Sequence, residues 1–145
     1  MTKPNTFANI PIALVNTPKL DGLALAKTLL NELHAMLETL IDKGQGGIID
    51  LRALPPLGVE GYQFLREKLS AGEVSAHIHS FGRSDIQETV YPGIWWITHL
   101  NQDDETLTEH IEVCFFPDLL KSQRDDVIAG QNKLSELLKE LSTKN

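Results

Sequence analysis

Alternation of apolar and polar residues between positions 73 and 116 constrains the fold of this chain most strongly. It occurs in EVSAHIHSF (73–81), SDIQETVY (84–91), GIWWITHL (93–100) and ETLTEHIEVCFF (105–116). Turn-forming residues separate these segments, at Gly82, at Pro92-Gly93 and in the polar run 101–104. Because a period of two places alternate side chains on opposite faces of a strand, the pattern predicts a meander of about four antiparallel strands.

Helical periodicity flanks the meander on both sides. From about residue 20 to 43, apolar residues recur at spacings of three and four, and Gly44 follows as a C-terminal cap. Similar patterns predict helices over 58–69 and over the C-terminal tail. The run GGIIDLR (46–52) predicts a further strand, which with the following helix suggests a βαβ unit. The predicted class is α+β: a mostly antiparallel sheet of about 4–6 strands, with helices mainly on one face and the other face partly solvated.

The size of the chain and its ends support a simple organisation. Residues 1–9 are polar and predicted to be flexible, and residues 11–15 have the composition of a short edge strand. The chain has 145 residues, the usual size of one domain, so we interpret 1–145 as a single domain. We identify no signal peptide and no membrane-spanning run, which favours a cytoplasmic location.

Composition disfavours several kinds of partner and chemistry. The net charge is −7, which argues against an electrostatic grip on nucleic acid or on an anionic membrane. The single cysteine, Cys114, excludes an internal disulfide and fits a reducing compartment. The sequence has no Gly-rich phosphate loop before a helix, no Ser-centred elbow and no CxxC pair, so we expect neither an enzyme nor a cofactor.

The two tryptophans, Trp95 and Trp96, are adjacent in a predicted strand. Neighbours on a strand point to opposite faces, so we expect one indole in the core and the other on the solvated face. The preceding Pro92-Gly93 fits the centre of a type II turn, which makes a corner rather than an ideal hairpin. An exposed indole beside Tyr91 and this turn would form an apolar surface of the kind that binds proteins. Coverage by a terminal helix is the alternative, and the sequence does not decide between the two.

Glu88 lies between Ile86 and Val90 in the period-two set of its strand. A carboxylate on an apolar face must be paired, hydrogen-bonded or neutral. Arg83, Arg66 or a backbone amide would satisfy it, so we interpret Glu88 and Arg83 as structural anchors of the corner. A role for Glu88 as a general base is the competing hypothesis.

His77 and His79 are two residues apart, which places both imidazoles on one face of a strand. This spacing can bind zinc if His99, His110 or Cys114 supplies a third ligand. Such pairs often arise by chance, and solvated histidines are the more ordinary interpretation. We therefore expect no metal site and keep metal handling through His77 and His79 as the alternative function.

Several segments between residues 48 and 119 resemble a known family. They are GGIIDLRALPPL, GEVSAHIHSFGRSDIQETVYPGIWWITHLN and TEHIEVCFFPDLL, and the most specific part is GRSDIQETVYPGIWW (82–96). They resemble the C-terminal domain of the HupH/HyaF hydrogenase expression and formation proteins, over roughly the middle half of the chain. The resemblance implies an accessory, non-enzymatic role in maturation of a [NiFe] uptake hydrogenase, and it implies no metal-ligand set. Members of the family are often about twice as long, with a further N-terminal portion.

The residue patterns and the resemblance lead to one hypothesis. A maturation factor must hold an incompletely folded client and release it, which requires a modest apolar surface with a polar rim. The predicted partner-binding residues are Tyr91, Pro92, Gly93 and whichever of Trp95 and Trp96 is exposed. The predicted partner is a hydrogenase subunit or another accessory protein, and an open sheet face or edge would also permit a homodimer.

Overall fold

The structure, a computed structural model, describes residues 21–144. Its contacts cluster into two compact units, with the boundary between Phe115 and Phe116. The first unit contains helices α1 (Gly22–Lys43) and α2 (Gly58–Leu69) and strands β1 (Gly47–Asp50), β2 (Ser75–His79), β3 (Arg83–Glu88), β4 (Ile94–Leu100) and β5 (Thr106–Val113). The second contains a 3₁₀ helix (Asp118–Leu120) and helix α3 (Arg124–Thr143). The predictions for residues 1–9 and 11–15 fall outside the described residues.

The strands form one five-stranded sheet in the order β1-β5-β4-β3-β2. Every neighbouring pair is antiparallel, which confirms the α+β class and the predicted meander, now β2 to β5. The suggested βαβ unit is wrong. Strand β1 pairs with β5 at one edge of the sheet and β2 forms the other edge, so the two strands that flank α2 are not neighbours.

Local capping signals set the ends of helix α1. The Asp21 carboxylate accepts a hydrogen bond from the Leu23 N–H at 3.0 Å and so caps the N-terminus. At the C-terminus Gly44 has φ 69°, and its N–H donates to the Leu40 carbonyl. The predicted glycine cap is therefore confirmed.

The core lies between helices α1 and α2 and one face of the sheet. On that face, Ile49, Ile111 and Trp96 form one cross-strand row, and Val113 and Ile94 lie together in the next. The buried helix residues packed against these rows are Ala26, Leu29, Leu33, Leu40, Leu65 and Leu69. Each fully buried large apolar side chain contributes about 1.5–3 kcal/mol relative to an exposed one, so this layer dominates the stability of the first unit.

The second face of the sheet is buried at its centre. Ile86 and Ile97 are cross-strand partners and both are fully buried, and Trp95 on the same face is also buried. Towards the β1 edge the face opens, because Ile48 and Asp50 are exposed. The predicted solvation of this face therefore applies to its periphery and not to its middle.

Helix α3, in the second unit, has no buried residue. Asp125 and Asp126 lie in its first turn, where their charges suit the positive end of the helix dipole. Among residues 21–144, no helix is both long enough and apolar enough to cross a lipid bilayer.

Candidate functional site

The corner between β3 and β4 has the type II geometry predicted from Pro92-Gly93. Gly93 has φ 97°, and the Ile94 N–H donates to the Tyr91 carbonyl at 3.0 Å. Glycine is required here because other residues rarely adopt this φ, and because an added Cβ would lie 3.2 Å from Cδ2 of Leu37. The turn thereby rests against helix α1 and leaves Tyr91 and Pro92 exposed.

Thr89 fixes this corner, a role that the sequence did not reveal. Its side chain is buried, and its Oγ1 donates to the Tyr91 carbonyl and accepts from the Tyr91 N–H, each at 3.2 Å. Its own N–H donates to the Ile94 carbonyl at 2.9 Å. The Thr89 hydroxyl therefore satisfies both backbone polar groups of Tyr91 at the point where the chain leaves β3. Threonine side chains often make such local hydrogen bonds to the backbone in turns.

Arg83 and Glu88 do not anchor the corner together as predicted. They stand at opposite ends of β3, about 17 Å apart at roughly 3.3–3.4 Å per residue. Arg83 Nε lies 2.9 Å from Oδ1 of Asp85, and Arg66, the other expected partner of Glu88, stacks on Trp96. Glu88 contributes through its backbone, whose carbonyl accepts from the Gly72 N–H at 2.7 Å.

Both tryptophans are buried, so the expectation of one exposed indole is wrong. Trp95 is 3% exposed and Trp96 is 2% exposed. Trp96 belongs to the core that packs against α1 and α2, and Trp95 lies on the opposite face with Ile86 and Ile97, which are also fully buried. Trp95 Nε1 donates to the Cys114 carbonyl at 3.2 Å, and Trp96 Nε1 donates to Oε2 of Glu109 at 2.8 Å. The two rings therefore support the corner from within and offer no surface to a partner.

Glu109 of β5 gathers three hydrogen-bond donors on one oxygen. Its Oε2 accepts from the Tyr62 hydroxyl at 2.8 Å, from the Trp96 indole at 2.8 Å and from the Thr98 hydroxyl at 3.3 Å. The Tyr62 and Trp96 rings meet edge to face, with centroids 5.7 Å apart. Cζ of Arg66 lies 4.3 Å from the centroid of the Trp96 ring. This cluster joins helix α2 to strands β4 and β5.

The surroundings of Tyr62 favour its protonated form. Burial, the hydrogen bond to Glu109 and the negative charge of Glu109 raise the pKa of Tyr62 to about 12, against the opposing charge of Arg66. The protonated phenol is the form that donates the hydrogen bond to Glu109. The sequence contained one sign of this cluster. Glu109 alternates with Ile111 and Val113, which places its carboxylate on the buried face of the strand.

An apolar groove opens beside the corner, between α1, α2 and Tyr91, with a volume of about 390 Å³. We call it the α1–α2 groove. Its lining combines buried and half-exposed apolar side chains, principally Leu33, Leu37, Phe64, Leu69, Tyr91 and Ile94. The groove is thus a preformed concave surface on a rigid core, reached from solvent past the exposed ring of Tyr91.

Two nitrogen-containing side chains, Lys68 and His34, lie at the rim of the α1–α2 groove. Lys68 Nζ lies 5.5 Å from the centroid of the Phe64 ring. The His34 side chain is 75% exposed, and its Nδ1 lies 3.1 Å from Oε1 of Glu38. Lys68 therefore places one positive charge at the rim, although the whole chain has a net charge of −7.

The histidines do not assemble into the alternative metal site. His77 Nδ1 lies 2.7 Å from Oδ1 of Asp85. His99 and His110, two of the predicted third ligands, lie together with ring centroids 5.7 Å apart, but on the opposite face of the sheet from His77 and His79. Within residues 21–144, no group of three or more His, Cys, Asp or Glu side chains is placed to hold a metal ion.

The first compact unit thus combines an α+β fold with a preformed apolar groove beside buried aromatic residues. Residues 23–141 match the family described as "HupH hydrogenase expression protein, C-terminal conserved region", and the chain belongs to this family. The matched region extends over parts of both compact units. The family resemblance of the middle segments is thereby confirmed.

Two relatives extend this result. The chain is 25% identical over 119 residues to the hydrogenase expression/formation protein HoxQ of Cupriavidus necator, covering 82% of this chain and 42% of that protein. It thus spans less than half the length of this curated relative. The solved structure of the hydrogenase expression protein HupH from Thiobacillus denitrificans is 41% identical, with a TM-score of 0.76, over 79% of this chain and 95% of that one.

Proposed function

We propose that this protein is a non-catalytic accessory protein in the maturation of a [NiFe] hydrogenase, and that it binds a hydrogenase subunit or another maturation factor. Membership of a family named for hydrogenase expression supports the hydrogenase context. The observation that carries the binding role is the α1–α2 groove, which is apolar, preformed and open to solvent beside Tyr91. We place this role in the cytoplasm, as the sequence suggests.

The dimensions of the α1–α2 groove suit part of a client rather than a folded domain. Its volume of about 390 Å³ lies towards the small end of the roughly 300–1,000 Å³ range of ligand sites. That space accommodates a few large side chains of one segment. Such a contact is modest in area, which favours release once the client has folded.

The floor of the groove is rigid because its residues also belong to the core. Leu33, Leu69 and Ile94 line the groove and are each at most 3% exposed. Tyr91 is held by the Thr89 hydroxyl and by the turn at Gly93. A preorganised surface loses little conformational entropy on binding, so a small contact can still be selective.

The charge of Lys68 favours a guest segment with an acidic residue. Lys68 lies beside an apolar lining, so an apolar segment that carries an acidic residue matches both features. We therefore infer that such a segment of a hydrogenase subunit or maturation factor occupies the groove. The buried Trp95 and Trp96 act only by positioning the corner.

Co-purification from cells that produce the hydrogenase tests this proposal. The double variant Tyr91→Ala/Lys68→Glu changes the wall and the rim of the groove without removing a buried side chain. We expect it to recover about tenfold less hydrogenase subunit or maturation factor than the unaltered protein. Val59→Ala, an exposed position in the first turn of α2 outside the groove, is the matched control and should recover as much as the unaltered protein. Equal recovery by all three proteins would exclude the groove as the contact.

A further inference from the structure

Helix α3 carries a stripe of large apolar side chains that is open to solvent. Val127, Leu134, Leu137, Leu138 and Leu141 are each between 47% and 56% exposed. Positions 127, 134 and 141 are seven residues apart, and 137 adds the intermediate position, which is the a and d pattern of a helix that packs on another helix. In proteins, most of the stability of a helix comes from packing of its apolar face, so an open stripe on this 20-residue helix suggests a packing partner.

Gly130 occupies the other d position of the same stripe. Glycine destabilises the middle of a helix, so its presence there calls for a reason. A Cβ at Gly130 would meet no atom within 4 Å, so none of the described neighbours requires the glycine. Gly130, Leu134 and Leu137 line a shallow depression of about 610 Å³ on α3. Among the described residues, the missing side chain thus leaves room for another side chain beside Gly130.

In an antiparallel pair of α3 helices, a leucine of a second copy of this protein would fill the space beside Gly130. When Leu134 of one copy lies opposite the partner's Leu137, the heptad geometry places Leu141 opposite the partner's Gly130. A two-fold axis repeats both contacts, so two leucine side chains enter two glycine positions. The stripe is self-complementary in shape in this one orientation.

The charges beside the stripe agree with the same orientation. Lys133 and Glu140 are seven residues apart, so they lie on one flank of the helix, and both line the depression. In the antiparallel register just described, Lys133 faces the partner's Glu140, and the pair occurs twice. In a parallel pair Lys133 would instead face the partner's Leu138, which offers no opposite charge.

We propose that α3 is a homodimerisation helix, and that two copies of this protein associate through an antiparallel α3 pair with Leu141 packed against the partner's Gly130. The proposal goes beyond the proposed function and is independent of it, because the α1–α2 groove belongs to the first compact unit and α3 to the second. The helix is about 30 Å long at 1.5 Å per residue, so the interface is small and a dissociation constant in the micromolar range is expected.

Sedimentation equilibrium of the full chain tests the dimer and its register together. The unaltered protein should show a reversible monomer–dimer equilibrium. Lys133→Glu and Glu140→Lys should each weaken the dimer about tenfold, because each creates two pairs of like charges. The double variant Lys133→Glu/Glu140→Lys restores opposite charges and should recover the affinity to within about threefold. Lys139→Glu, outside the stripe, is the matched charge control and should leave the affinity unchanged.

Three results would overturn the proposal. One is a protein that remains monomeric at about 100 µM, well above the expected dissociation constant. The second is a dimer that the double charge exchange fails to restore, which would exclude the antiparallel register. The third is equal weakening by Lys139→Glu, which would show a general charge effect. Leu137→Glu should give a monomer, and circular dichroism of that variant should show an intact first unit.

Discussion

The indole N–H of Trp96 donates to Oε2 of Glu109 at 2.8 Å, and the same oxygen accepts from the Tyr62 hydroxyl at 2.8 Å. One carboxylate on β5 therefore connects the central strand β4 to helix α2. Since α2 also forms one wall of the α1–α2 groove, the cluster holds that wall in place.

Glu109→Gln should destabilise the protein by about 1–3 kcal/mol, because an amide is a weaker acceptor than a carboxylate for three donors. The free energy of unfolding in urea measures this effect. Glu105→Gln is the matched control: its carboxylate accepts from the Asn101 side chain at 2.9 Å in an exposed loop. The control should change stability by less than about 0.5 kcal/mol. A loss at Glu109 no larger than that of the control would contradict the structural role of the cluster.

Tyr62 should titrate at a higher pH than an ordinary tyrosine. The pKa of Tyr62 is raised to about 12 in the folded protein from an ordinary value of 10.0, so the folded state keeps a proton that the unfolded state loses. The stability from this phenol is fully present below pH 10 and is lost as the pH rises towards 12. Tyrosinate absorbance of the unaltered protein and of Tyr62→Phe identifies the group.

The Glu109→Gln variant provides the control for this titration. Removing the negative charge should lower the pKa of Tyr62 towards its ordinary value, since Glu109 supplies both a hydrogen bond and a charge. An unchanged tyrosinate titration in that variant would show that Glu109 does not raise the pKa of Tyr62.

Trp95→Ala and Trp96→Ala should both destabilise the protein, by about 3–5 kcal/mol each, since both rings are buried and both donate a hydrogen bond. Tyr91→Ala, at an exposed position of the same corner, should cost less than about 1 kcal/mol. Thermal and urea unfolding measure the three variants. A tryptophan variant as stable as Tyr91→Ala would mean that its ring is not part of the core.

Gly93→Ala should destabilise the corner by about 1–2 kcal/mol, since alanine is strained at φ 97° and its Cβ would lie 3.2 Å from Leu37 Cδ2. Gly58→Ala separates the two causes, because Gly58 has φ 68° but open space around a Cβ. The difference in unfolding free energy between the variants reports the contact with Leu37. Equal losses would assign the whole effect to backbone strain.

His110 should make the protein less stable in mild acid. Burial, and then the neighbouring His99, lower the pKa of His110, although Glu112 and Asp50 oppose this. The unfolded state therefore binds a proton first as the pH falls below the ordinary value of 6.5, and stability falls with it. His110→Gln should reduce the slope of unfolding free energy against pH between about 5 and 7. The same slope in His110→Gln and the unaltered protein would contradict this assignment.

Short sequence patterns correctly predicted the parts of the fold that are determined by residues adjacent in sequence. The strands β2 to β5 follow from period-two alternation, and the type II corner follows from Pro92-Gly93 alone. Glu109 and Tyr62 are 47 residues apart, so no local pattern could bring their side chains together. Alternation correctly assigned the two tryptophans to opposite faces, but it could not show that the face of Trp95, Ile86 and Ile97 is buried as well.

The α1–α2 groove was beyond sequence reasoning for a related reason. Its walls come from two helices and a turn, and their spacing depends on tertiary packing. Tyr91 was predicted as a contact residue and does line the groove, whereas Phe64 and Lys68 on α2 were not recognised. The pairing of β1 with β5 was missed because strand partners distant in sequence leave no local pattern.

Titration calorimetry with purified hydrogenase subunits and maturation factors tests the central claim most directly. We expect one of them to bind the unaltered protein, and the Tyr91→Ala/Lys68→Glu variant to bind it about tenfold more weakly. Val59→Ala should bind it with unchanged affinity. Binding that the groove variant retains in full, or no binding of any hydrogenase component by the unaltered protein, would contradict the account.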